Sequence, residues 1–222
     1  MKTMVKAQSN ALSTSPLARL AGPSLVLGGI AFFIGGVTHP SGNGQGNKVQ
    51  QLHEMLLDSS WYPSHAVLLA AMALFATGFL ALRRRGGLNP GVESLLRFVF
   101  VIACIATVSM AVHLFAALDA ASVADGKPSL VSRVQTVNET VVDASWGLAV
   151  GALAVAGGLT RTIGNRMTMV FGLVGGLAFA LASGTIAFTD ALDPLFAVGS
   201  LLSVWAIAVG VMAIRRGEDH VG

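Results

Sequence analysis

Six stretches of this chain are too apolar and too long to be anything but membrane-spanning helices. A helix rises about 1.5 Å per residue, so crossing a hydrocarbon core takes about 20 apolar residues. Residues 20–38, 144–160, 167–189 and 194–214 carry no charge, and 64–82 and 98–118 hold one histidine each. No seventh window qualifies, and nothing alternates at period two over the length a membrane barrel needs. The expected fold is all-α: a six-helix transmembrane bundle over residues 20–214. Residues 1–19 form a cytoplasmic segment before it and 215–222 a cytoplasmic tail after it.

Composition excludes the alternatives. Of the 222 residues 54% are apolar and 11% charged, against roughly 25% charged in soluble domains. So apolar a chain cannot cover itself with polar surface, and with a net charge of only +3 it is not disordered either. Its lone cysteine, Cys104, allows no internal disulfide and no CxxC motif.

Basic residues orient the bundle. Alternating the loops puts Lys2, Lys6, Arg19, Arg83, Arg84, Arg85, Arg97, Arg161, Arg166, Arg215 and Arg216 on one side, and only Lys48, Lys127 and Arg133 on the other. The positive-inside rule then predicts cytoplasmic termini. A basic pI of 9.5 therefore reflects a partnership with the lipid bilayer and implies no nucleic acid. The first span ends in Val37-Thr38-His39-Pro40 with no small-residue cleavage site, so it reads as a retained helix. Glycine-rich and aromatic-poor, the composition suits a bacterial plasma membrane.

The outer loops differ from the short inner links. After the flexible Ser41-Gly42-Asn43-Gly44-Gln45-Gly46, residues 47–58 read as an interfacial amphipathic helix between the first two spans. Val49, Leu52, His53, Met55 and Leu56 share its apolar face, and Gln50, Gln51, Glu54 and Asp58 its polar face. Trp61 and Tyr62 follow, as expected at headgroup depth. Spans three and four are predicted to run on beyond the bilayer as a helical hairpin turning at Asp125-Gly126-Lys127-Pro128, with Ser129 as N-cap. Small residues at Ser24/Gly28, Gly147/Gly151, Gly172/Gly176 and Ala206/Gly210 recur every four positions, spacing that lets helix backbones touch within the bundle.

Applied to the histidines, this topology yields the functional clue. His39, His53, His65 and His113 all fall in the outer leaflet, and only His220 does not. Pairing across the hairpin sets His113 opposite about residue 140, within a turn of Glu139 and Asp143. Intramembrane ionisable groups are costly and mark sites. Neutral imidazoles ligate transition metals or haem iron, and carboxylates orient them. The candidate metal ligands are His39, His53, His65, His113, Glu139 and Asp143, for a divalent transition metal. For a b-type haem the candidate axial pair is His65 with His113. Structural readings stand beside these: His39 and His65 as helix-end caps, Asp190 and Asp193 as turn residues. Ser109xxxHis113 resembles the SxxxH element of membrane ceramidase-like hydrolases, but no later HxxxH follows. A small transporter and a non-catalytic subunit are the other function classes; the inner halves of the spans offer no ionisable group to continue a path.

Overall fold

The computed structural model describes residues 16–42, 45–127 and 129–218. Lys2, Lys6, Asn43, Gly44, Pro128 and His220 lie outside them. Among the described residues the chain is all-helical. A short α1 (Pro16–Arg19) leads into α2 (Ala21–Val37). The interfacial α3 (Lys48–Leu57) precedes α4 (Trp61–Arg85) and α5 (Pro90–His113). A 3-10 turn (Leu114–Asp119) and α6 (Ala120–Ala124) extend α5. The return strand of the hairpin is α7 (Leu130–Val137), a π-helical turn (Asn138–Asp143) and α8 (Ala144–Thr160). The chain then forms α9 (Arg166–Thr185), α10 (Leu195–Gly199) and α11 (Leu201–Glu218).

Five helical stretches are long and apolar enough to cross a membrane, and the 17-residue α2 is a shorter sixth. The outward faces require such a solvent. Phe98, Val101, Ile105 and Val108 recur at intervals of three and four along α5, and each is about half exposed or more. A stripe of that kind is stable only against hydrocarbon. The protein is thus an integral membrane bundle of apolar helices.

Local signals set the ends. Asn47 caps α3 with a reciprocal capping box to Gln50, and Asn165 does the same for α9 with Thr168. Asn89 caps α5, where Pro90 occupies the first turn. The fifth span stops at Thr185 rather than at residue 189, because the chain turns from Ile186 onward.

Neighbours pack in a closed circuit: α2 on α4 and α11, α4 on α5, α5 on α8, α8 on α9, and α9 on α11. The small-residue pairs make the tightest crossings. A Cβ on Gly176 would stand 2.6 Å from the Gly147 carbonyl oxygen, and one on Gly22 would stand 2.7 Å from that of Gly210. No side chain fits there, so the backbones of α8 and α9, and of α2 and α11, lie directly on each other. The centre of the circuit is filled by aromatic rings. Trp146 meets Phe32 and Phe75 at 5.4 Å and Phe179 at 5.7 Å between centroids, and Phe79 reaches toward Trp205 at 6.5 Å.

Spans three and four are longer than a bilayer core is thick. Pro90–Ala124 is 35 residues of near-continuous helix and Leu130–Thr160 is 31; at about 1.5 Å each, both exceed a core about 30 Å thick. Asp119 holds the hairpin end, accepting hydrogen bonds from the Ser129 amide (2.8 Å) and the Ser132 hydroxyl.

Candidate functional site

Three of the four outer histidines converge. His39, just past α2, meets His65 on α4 at 4.7 Å between ring centroids, and His65 meets His113 at the end of α5 at 4.6 Å. Trp61 backs the stack, 3.9 Å from His65 and 5.4 Å from His113. One turn separates Trp61 from His65 on α4, so both rings point the same way. His65 and His113 are buried and His39 is partly exposed, which makes His39 the open edge of the stack. Burial holds the His39 imidazole below its ordinary value, against a smaller upward pull from its hydrogen bond to the Pro40 carbonyl.

Carbonyl contacts decide where protons sit. The Nδ1 of His65 lies 2.7 Å from the Trp61 carbonyl oxygen, which only a protonated Nδ1 can satisfy. The Nε2 of His65 is then a bare lone pair, and it is buried with no partner. His113 has the reverse arrangement. Its Nδ1 lies 3.2 Å from the amide nitrogen of Asn138, a donor, so its proton sits on Nε2. That Nε2 is also buried without a hydrogen-bond partner, with Glu139 Oε1 3.6 Å away.

Asn138 organises the rest. Its oxygen accepts from the Ser109 hydroxyl, and its amide group donates to His113 and, at 3.3 Å, to Asp143 Oδ2. In an α-helix residues five apart point about 140° away from each other. The π turn, with its i→i+5 bonding, brings Asn138 and Asp143 onto one side. Glu139 accepts instead from Gln135, 3.1 Å away and one turn back.

His53 stands apart. Its Nδ1 bonds the Ala120 carbonyl at 3.0 Å, which ties α3 to α6. Nor is Trp61 an interfacial aromatic: it is fully buried, with its indole N–H on the Leu114 carbonyl, whereas Tyr62 is exposed as expected. Sequence reasoning singled out Ser109 only through its spacing to His113 and passed over Asn138, which joins the two. Uncharged polar residues in an apolar run were the available signal.

The rings fit neither proposed cofactor as they stand. A porphyrin must pass between two axial imidazoles, and the rings of His65 and His113, 4.6 Å apart and tilted by 36°, leave no such slab. Among the described residues no three His, Cys, Asp or Glu side chains are arranged to hold a metal ion.

The α3 helix roofs this region. Leu56 packs with Trp61, Ala116 and Ala120. Gln51, expected on the polar face, is buried and reaches Asp190 Oδ2 at 3.3 Å. Lys48 pairs with the same carboxylate, so the α9–α10 link latches the roof. The hydrogen bond from Lys48, then that from Gln51, holds the Asp190 carboxyl below its ordinary value. A carboxyl depressed in the folded chain contributes while ionised and is lost as pH falls through its folded-state value. Protection of α3 amides from hydrogen exchange is expected to be level above about pH 4, the ordinary aspartate value, and to fall below it. Asp190→Asn is expected to flatten that profile; an unchanged profile would mean the latch does not hold α3.

Compared with protein-family models, curated proteins and solved structures, the chain matches none.

Proposed function

We propose that this membrane protein carries a proton-exchanging acid–base site at one end of its bundle, open to the extracytoplasmic side of a plasma membrane. One observation carries the reading: an unpaired ring acceptor (His65 Nε2) and an unpaired ring donor (His113 Nε2) are buried together. Leaving buried polar groups unpaired costs about 1–3 kcal/mol each. Such groups are retained where a ligand, water or proton completes them. His65 takes up and returns a proton at its bare Nε2, and the neutral His113 ring, with Glu139 behind it, donates a hydrogen bond from Nε2–H to whatever His65 exchanges with. Partly exposed His39 links the stack to solvent. Asn138 sets the His113 tautomer.

The clustering of Arg83, Arg84, Arg85, Arg161, Arg215 and Arg216 at the opposite end supports the orientation. The aromatic layer around Trp146 lies between the two ends. It supports a one-sided site over a permeation path, the reading a small transporter would need.

The test is side-chain ¹⁵N NMR of histidine-labelled protein in lipid vesicles. We expect His65 as the Nδ1–H tautomer and His113 as Nε2–H. The His113 ring signals are expected to shift in Glu139→Gln, because Glu139 Oε1 lies 3.6 Å from Nε2, while those of His65 stay in place. The opposite tautomer at either ring would refute the proposal. So would stoichiometric haem, zinc or copper in the purified protein that is lost in His65→Ala or His113→Ala.

A further inference from the structure

Beside the site, the hairpin carries an apolar groove of about 240 Å³ between α5 and the segment from α7 to the π turn. Val134, Val137 and Val142 wall it; wholly buried Asn138, with Ser109, lies at its floor, and exposed Arg133 at its rim. Val108 and Val141, next in sequence to lining residues Ser109 and Val142, are exposed, so the groove opens toward lipid, its Val142 end in the hydrocarbon and its Arg133 end in the headgroup layer.

We propose that this groove binds an anionic phospholipid, with the first part of an acyl chain along the valines and the phosphate on Arg133. Depth supports the assignment. Counting about 20 residues from Thr160 reaches the far hydrocarbon boundary near Thr140. Arg133 then stands about 10 Å above it, where a long side chain can lean down to the phosphate layer. Charge complementarity supports it as well. Arg133 makes no ion pair among the described residues, whereas Lys48 is paired with Asp190. An unpaired guanidinium above an apolar trough matches a phosphate above an acyl chain, and the pairing is a charge-assisted one. Lipid binding and proton exchange share only Asn138 and its partner Ser109, so either can fail without the other.

Native mass spectrometry of the detergent-solubilised full chain tests this, with phosphatidylglycerol and phosphatidylcholine as probes. The wild-type chain is expected to retain phosphatidylglycerol preferentially. Arg133→Gln is expected to weaken that retention about fivefold, the worth of one basic residue at a membrane surface, and to leave phosphatidylcholine unchanged. Val137→Trp, which fills the groove, is expected to remove the preference with Arg133 intact. Equal retention of both lipids, or no effect of either variant, would overturn the proposal. Displacement of the lipid by inorganic phosphate alone would also overturn it, since a site for the headgroup only needs no groove.

Discussion

Trp146→Ala is expected to lower the stability of the bundle by about 3–5 kcal/mol, the range for truncating a large buried ring. Trp146 is 1% exposed and stands among Phe32, Phe75 and Phe179, which come from three other helices. In a bilayer the lipid is as apolar as the core, so dispersion contacts rather than water exclusion hold helices together. Removing the indole forfeits contacts to α2, α4 and α9 at once. The backbone crossing of Gly147 on Gly176 sits one residue away; it prevents α8 from shifting to refill the space. Trp146→Phe is expected to cost much less, because it keeps a ring and deletes an indole N–H that has no acceptor. Reversible unfolding of reconstituted protein measures both. A loss below about 1 kcal/mol for Trp146→Ala would mean the aromatic layer is loosely packed, and the argument for a sealed centre would go with it.

The contrast between what the sequence disclosed and what it concealed follows from periodicity. Spans, roof helix and hairpin depend on apolar spacing and cap residues that a linear reading captures, so the Ser129 cap and the His113–Glu139 juxtaposition were both within reach. The small-residue pairs were legible too, since only glycine survives where two backbones touch. Departures from the α-helical wheel were not legible. A wheel at 100° per residue pairs Glu139 with Asp143; the π turn pairs Asp143 with Asn138 instead. Gln51 reads as polar and outward, yet Asp190, 139 residues further on, draws it inward. The haem pair failed for a related reason. Depth along each helix placed His65 and His113 at one level, but only packing shows their rings in contact and backed by Trp61, with no gap for a cofactor plane.

If Asn138 sets the protonation pattern of the site, two replacements should separate its structural role from its chemical one. Asn138→Leu fits the same space and removes every polar partner. It leaves His113 Nδ1 and Asp143 without the bonds they make now, at about 1–3 kcal/mol for each group left buried and unpaired, while the Ser109 hydroxyl keeps the Ala106 carbonyl. Destabilisation alone would say only that the network is satisfied. Asn138→Asp is the sharper test. An aspartate still accepts from Ser109 but offers His113 Nδ1 an acceptor where it had a donor. A neutral imidazole then carries its proton on Nδ1, and Nε2, the atom facing Glu139 at 3.6 Å, becomes a lone pair open to a proton from the Glu139 carboxyl. The ¹⁵N spectrum is therefore expected to show His113 switching from Nε2–H to Nδ1–H while His65 keeps its own tautomer, which the Trp61 carbonyl fixes independently. Both rings then present bare Nε2 atoms, so the donor–acceptor pair at the centre of the site is lost even where the variant folds. A His113 that kept its proton on Nε2 in Asn138→Asp would show that Glu139, not Asn138, dictates the pattern, and the π turn would then serve packing alone.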